Sequence, residues 1–544
     1  VAVLALVAIA MTVLIVWPVG QVVYRSLISD GALSAENYRR ALTQTGNLRA
    51  LGNTIWVGLA STALATVAGT VLAFLLVRTD LPAGSWIRLL LVLPYAIPPF
   101  FGAIAWAQLL GPQGYLMRPL VHLLRLDRAP FSVYSAGGIV LVMAIHYFPL
   151  VFLIVAGALQ RIDTSLEEAA RTSGAGSLRV MRDITVPLVA PAVLAGSTLA
   201  FVGAIANFGI PALLGMRARF YVLTTSIYAS LNNRDLALAT AMSMLLVLVA
   251  AGVLLSQWRV QRAEGRYAVI AGKSIHPYML RLGALRGIVL GCTLLFALVI
   301  AVLPLLALLL TSVLKYYGAP LASESFTLRH YAYVAAQQSV RRALANSSLL
   351  GVAAATITMV LGTYVSYARV RARMRVAGWL DGLGMLPYAI PHTVIGIAMI
   401  LAWARPPVSL YGTIWVMLFA YLVAYMPYSL RTTSATLQQV HGSLEEAART
   451  SGAAPLRALR DVILPLVRPG MVAGWILVFM PAFRELTMSI LLFGLHTETI
   501  GVMIFNMQDS GYTQTAAALS VLVLLLILGG NAVARRVTGR QVGF

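Results

Sequence analysis

Long apolar runs dominate the chain, and most are closed on both sides by arginine, glycine or proline. Neither the period of two expected of a half-buried strand nor the single apolar stripe of a surface helix organises them. A helix needs about 20 apolar residues to cross a bilayer, and the runs at 1–27, 53–77, 88–110, 137–158, 187–213, 236–257, 287–314, 346–368, 378–404, 410–430, 465–493 and 515–534 are long enough. The pattern predicts an all-α polytopic membrane protein of about twelve transmembrane helices.

Composition sharpens this. Of 544 residues, 60% are hydrophobic and 11% charged, against about 25% charged in soluble domains, so a water-soluble globule is excluded. Lys and Arg number 40 and Asp and Glu 18, a formal net charge of +22. In a soluble chain that excess would suggest nucleic acid. Here the basic residues flank apolar runs, as positive ends of membrane helices do, and the expected surroundings are a lipid bilayer, with no nucleic acid. The segments placed inside by an N-in, C-in arrangement carry more Lys and Arg than those outside, which favours both termini in the cytoplasm. The chain starts at Val1 without a basic n-region, so a cleavable signal peptide is not expected and a few preceding residues are expected to be missing. The one cysteine, Cys292, lies in an apolar run and is expected to be a small buried side chain.

The two halves repeat. LQRIDTSLEEAARTSGAGSLRVMRDITVPLVAP at 159–191 matches LQQVHGSLEEAARTSGAAPLRALRDVILPLVRP at 437–469 without gaps, 278 positions apart. LPYAIP occurs at 93–98 and 386–391, 293 positions apart, the spacing that also pairs Asn53 with Asn346 and Gly69 with Gly362. A longer outer loop in the first half explains the difference. An even number of spans separates the copies, so both face one side, and the halves are expected to be parallel six-span units about a pseudo-two-fold axis along the membrane normal. The division expected is 1–257, a cytoplasmic linker at 258–286, and 287–544.

Each copy of the repeated loop (159–187 and 437–465) reads as a helix–turn–helix knob. Ser165 with Glu168, and Ser443 with Glu446, fit an S-x-x-E capping box. Ala169, Ala170, Ala447 and Ala448 favour helix and keep one face small. Gly174 and Gly452 suit a left-handed C-cap. A second amphipathic helix follows, and Pro187 and Pro465 begin the next span. One such elbow could merely connect spans, but two copies better preserved than the spans around them imply an external surface met twice.

E-A-A, three residues, Gly, nine residues and I/V-x-L/V-P, present from Glu168 to Pro187 and from Glu446 to Pro465, resembles the cytoplasmic loop signature of ABC importer permeases. The resemblance covers the whole chain and implies the type I importer permease fold in a fused two-unit form. It further implies no catalysis by this chain: ATP and Mg would be bound by a separate ATPase. Partners would be two copies of that ATPase and a periplasmic or lipid-anchored substrate-binding protein, at a bacterial inner membrane. Carried over residue by residue, the ATPase-coupling surface is Leu166, Glu167, Glu168, Ala169, Ala170, Arg171 and Gly174, with Leu444, Glu445, Glu446, Ala447, Ala448, Arg449 and Gly452. LPYAIPPFFGAIAWAQLLGPQG at 93–114, LPYAIPHTVIGIAMILA at 386–402 and WILVFMPAFRELTMSILL at 475–492 look most like ferric iron importers. Thiamine, 2-aminoethylphosphonate and polyamine importers share much of the pattern.

Ionisable groups inside spans are costly and mark function or pairing. Glu485 aligns with Asn207, where the iron-type resemblance would place an aspartate, and Arg484 precedes Glu485. On a helix these neighbours point about 100° apart, so at most one faces a pathway; the two read equally as a structural ion pair. Proline interrupts the spans at both LPYAIP segments, making Tyr95, Tyr388 and His392 gate or pathway candidates, with a packed kink the alternative. No two of the seven histidines show metal-ligand spacing, so no resident metal is expected. Gly272-Lys273-Ser274 is similar to the end of a phosphate-binding loop, but Gly265 is misplaced for one. A twelve-span secondary transporter is the remaining alternative, although it has no need of twin knobs.

Overall fold

The computed structural model describes residues 2–538 except Asp30, Ala83, 264–278 and Pro407. Most of the expected linker, including Gly265 and Gly272-Lys273-Ser274, and residues 539–544 lie outside the described residues. Among the described residues, ten helices are long and apolar enough to cross a membrane, and two sharply bent helix pairs bring the number to twelve if each is one span. Every one overlaps a run predicted from hydropathy.

The bent pairs are Ser85–Ala96 with Pro99–Leu110, turning by 101°, and Arg375–Ala389 with His392–Trp403, turning by 112°. Both breaks fall in LPYAIP, and their chemistry is specific. Pro98 has no N–H to give the carbonyl of Pro94 four residues earlier. His146, on the span Ala136–Leu159, lies with its Nδ1 3.1 Å from that carbonyl oxygen instead. The second half has Ala424 where the first has His146, and there Leu386–Ala389 tightens into a 3-10 turn in which Ile390 N donates to Pro387 O.

The fifth and eleventh spans differ from expectation at both ends. The amphipathic segments do not break from them: Ser177–Ala206 and Arg460–Phe483 pass as membrane-length helices. A π turn at Met181–Thr185, with Leu459–Ile463 its counterpart, carries the chain into the span, a register change suited to prolines that cannot donate at 187 and 465. At the other end the helices stop at Ala206 and Phe483, short of the predicted 213 and 493. Short helices Gly209–Leu214 and Ser489–Leu492 then follow.

Small residues set the helix contacts, as is usual where lipid removes the hydrophobic drive. A Cβ on Gly69 would come within 2.9 Å of the backbone at Phe148 and Phe152, and one on Gly362 would meet Ser429 and Leu430, the equivalent position in the other half. Asn53 donates to the carbonyl of Tyr221, and Asn346 to those of His496 and Glu498, so these paired asparagines each tie a span to a late loop. Cys292 is exposed rather than buried; on its span Gly283–Val313 several large apolar side chains, among them Ile288 and Leu295, are likewise uncovered by protein, the surface a membrane helix offers to lipid.

By contacts the chain forms two compact units that do not follow the sequence halves. One gathers Gln44–Ser226 with Leu248–Leu328, and the other Val1–Thr43, Ile227–Val247 and Arg329–Gly543. The first span of each half is thereby packed with the other half's helices: Leu303–Val313 lies on Pro99–Leu110, and Trp17–Ser26 on His392–Trp403.

Candidate functional site

The first knob is the helix Thr164–Thr172, and the second is Ser443–Thr450. Neither is started by the predicted serine–glutamate box. Asp163 caps the first, its Oδ1 accepting from Ser165 N at 2.9 Å. At the equivalent position His441 Nδ1 accepts from Ser443 N at 3.3 Å. Ser165 is the second residue of its helix and Ser443 the first of its own, so both serines sit inside the first turn rather than at the N-cap. Gly174 and Gly452 do close the helices, at φ of +86° and +89°, a conformation that glycine adopts without steric cost.

The two glutamates of each knob part company. Leu166, Glu168 and Ala169 are exposed, as are Leu444, Glu446, Ala447 and Arg449, while Ala170, Arg171 and Ala448 are half-covered. Glu167 points inward and is only 4% exposed. Its carboxylate takes Arg78 Nη1 at 3.2 Å and Thr185 Oγ1 at 2.8 Å. That buried cluster joins the end of the second span, the knob and the entry to the fifth span. In the second half Glu445 is half-buried and accepts from Tyr367 Oη at 2.8 Å. Arg371, equivalent to Arg78, instead donates to the carbonyls of Leu437 and Val440. Tyr367 replaces Phe74 and Ile463 replaces Thr185. Each knob is thus tied to the second span of its own half, by a charge pair in one case and a phenol in the other. Arg78, Thr185, Tyr367 and Arg371 escape a reading of the sequence alone, although the 293-residue spacing pairs Arg78 with Arg371.

The aligned pair Asn207 and Glu485 has one shared role. Asn207 Oδ1 accepts from Ile210 N at 3.0 Å, and its Nδ2 donates to Tyr147 Oη at 3.1 Å. Glu485, 5% exposed, accepts from Met488 N, Ser489 N and Ser489 Oγ at 2.9–3.1 Å. Both therefore cap the short helix after the break, a carboxylate or amide oxygen satisfying orphan N–H groups. Arg484 and Glu485 are not neighbours on one helix as expected: the helix ends at Phe483, Arg484 is its C-cap and Glu485 lies beyond it. His392 Nδ1 is 3.7 Å from Glu485 Oε1, and the His392 ring lies edge-on to Tyr425. Tyr388 is exposed and Tyr95 half-buried beside His146. Thus Glu485 and His392 come together, whereas Tyr95 and Asn207 belong to the other compact unit. Among the described residues no three His, Cys, Asp or Glu side chains converge as a metal site would require.

Comparison with known proteins fits these features. The family described as "Binding-protein-dependent transport system inner membrane component" matches residues 65–316 and again 358–541. A protein of Sinorhizobium fredii named as an ABC transporter permease is 27% identical over 97% of this chain and 95% of its own length. A ferric transport system permease protein of Actinobacillus pleuropneumoniae is 24% identical over 93% of this chain and 74% of its own. A permease of Salmonella paratyphi A named for 2-aminoethylphosphonate transport is 29% identical, over 43% of this chain and 89% of its own. With the family unit present twice over most of its length, the chain belongs to the binding-protein-dependent inner membrane components, as a fused two-unit permease subunit of an ABC importer.

Proposed function

We propose that this permease forms the translocation path of an ATP-driven importer of ferric iron. The observation that supports the cargo is shared two-unit architecture: a permease named for ferric transport is similar through both units, over 93% of the chain, whereas the one named for phosphonate transport is a shorter protein that matches 43% of the chain with 89% of its own length. In this reading 1–257 and 287–544 are the functional units, joined through 258–286. Each presents one exposed coupling face, Leu166, Glu168 and Ala169 or Leu444, Glu446 and Ala447, to one of two copies of a cytoplasmic ATPase that binds ATP and Mg. Ala170, Arg171, Gly174, Ala448, Arg449 and Gly452 complete those faces, and Glu167 and Glu445 anchor them from behind. A substrate-binding protein outside the inner membrane delivers the cargo, and both termini lie in the cytoplasm.

Asn207, Glu485, Arg484, Tyr95, Tyr388 and His392 border the path. The engagement of Glu485 by three donor groups supports a structural acceptor rather than a lasting iron ligand, consistent with a cargo that passes without stopping. The test is uptake of radiolabelled ferric iron into proteoliposomes holding the permease, its ATPase and its binding protein. ATP-dependent uptake of iron, unaffected by excess 2-aminoethylphosphonate, is expected. Uptake that persists on an ion gradient without ATP would overturn the importer reading, and ATPase stimulation by phosphonate but not by iron would overturn the cargo.

A further inference from the structure

The halves differ in how they join the bent pair to the next span. Residues 404–413 suffice in the second half, whereas the first half uses 111–135, and the added chain forms a further helix, Met117–Leu123. The helix has a defined end: Arg125 turns left-handed at φ +49° and Leu126 N donates back to Val121 O, as in a Schellman motif.

Side chains of this helix face three ways. At about 100° per residue, Leu116, Leu120, Leu123 and Leu124 share one face, and all four are exposed, Leu123 by 81%. On the flank Met117 is buried and Val121 half-buried against the protein. Arg118 and His122 lie opposite the leucines and are exposed, and exposed Arg125 and Arg128 follow. Asp127 is the single acidic residue between 111 and 135, so the polar side is basic.

Hydrogen bonds set the depth of the helix. Tyr115 Oη lies 2.9 Å from Oγ1 of Thr311, two residues before the span Gly283–Val313 ends. Arg118 Nη1 donates to the carbonyl of Gly318, just past that end, at 2.9 Å. The connection finishes at Ser135, whose hydroxyl accepts from Gly138 N and caps the span Ala136–Leu159. The helix therefore begins level with the end of one span, on a connection that finishes at the start of another, which is the level of the bilayer surface. Leu306 and Leu309, within two turns of Thr311, are exposed, so a lipid-facing surface begins beside it.

We propose that Met117–Leu123 is an interfacial anchor of the first half, and that its partner is the phospholipid surface of the outer leaflet. Leu116, Leu120, Leu123 and Leu124 enter the boundary of headgroups and acyl chains by about 5–10 Å, and Arg125 and Arg128 meet lipid phosphates. Tyr115, Tyr134 and Tyr317 supply aromatic rings of the kind that mark this layer. A binding protein that docks and leaves in each cycle would bare four leucines to water in every interval; lipid covers them throughout. The choice of leaflet rests on the cytoplasmic termini proposed above, and insertion itself does not.

The experiment uses the permease–ATPase complex in liposomes of phosphatidylethanolamine and phosphatidylglycerol. Cys292 is the single cysteine, so Cys292→Ser allows one nitroxide at a time on Leu120→Cys, Leu123→Cys or His122→Cys. Power saturation compares collisions with oxygen, which concentrates in the bilayer, and with a water-soluble nickel chelate. The oxygen-to-nickel ratio is expected to be several-fold higher at Leu120→Cys and Leu123→Cys than at His122→Cys, below that of a label on the native Cys292, and unchanged when binding protein is added. Equal ratios on the two faces would overturn the anchor. Leucine-face labels that are open to nickel until binding protein arrives, and shielded afterwards, would overturn it in favour of a protein docking face. A complex with no ATP-driven uptake refutes the transport reading while the depth measurement still judges the anchor.

Discussion

Replacing Glu167 by alanine isolates the role of the buried charge cluster. The carboxylate is 4% and its Arg78 partner 3% exposed, so truncation strands a guanidinium with no counter-charge, a change that costs about 3–5 kcal/mol. In the second half Glu445→Ala removes one phenol hydrogen bond from a half-buried carboxylate, about 1.5 kcal/mol. Near-identical loops are therefore expected to respond unequally. Replacing both members of the first pair, Arg78→Met with Glu167→Leu, should recover most of the loss, because apolar side chains of similar volume often replace a buried ion pair without penalty. The assay is unfolding of the purified complex by titration with SDS, with the four proteins of the double-mutant cycle measured together. Equal losses for Glu167→Ala and Glu445→Ala, or a double variant no better than the weaker single one, would refute the tether.

Further predictions concern the exposed faces, the caps and the glycines. Glu168→Gln with Glu446→Gln should leave the complex in the membrane and lower uptake per ATP hydrolysed, read in proteoliposomes; unchanged coupling would count against a docking role. Asn207→Ala should cost about 1 kcal/mol by loss of its cap, whereas Glu485→Gln, which keeps an acceptor for Met488 N and Ser489 N, should retain the fold and alter uptake; a fold lost in Glu485→Gln would argue against the capping role. Gly69→Ala forces a Cβ against backbone at 2.8–2.9 Å and should destabilise by about 3 kcal/mol or prevent assembly. Gly174→Ala meets open space at φ +86° and should cost only about 1 kcal/mol; thermal midpoints in the reverse order would reject both assignments.

Hydropathy alone predicts the spans because an apolar run of sufficient length has few other solutions, and proline fixes their breaks because its missing N–H is a local fact. The knobs are readable because they occur twice. What stays hidden is whatever depends on distant partners. Arg78 and Glu167 are 89 positions apart, and neither is marked by its neighbours as one of a pair. Capping is hidden for another reason: Asp163 caps the first knob helix with its carboxylate, whereas the second starts from Gly442 without a side-chain cap, and the serine and glutamate that match a familiar box lie within the helix. Asn207 and Glu485 read as pathway groups until the helix is seen to end before them. An all-apolar span also carries no stripe to say which helix it will meet, so the exchange of first spans between halves leaves no trace in periodicity.

That exchange sets a schedule for biosynthesis. Trp17–Ser26 packs on His392–Trp403, a segment that leaves the ribosome only after some 370 further residues, roughly 20–75 s at the usual rate of elongation. For that interval the first span has lipid, and any helper in the membrane, in place of its final neighbour. A ribosome that stalls in the linker would leave an orphan helix with no site on the half already made, a natural signal for quality control to remove the truncated chain.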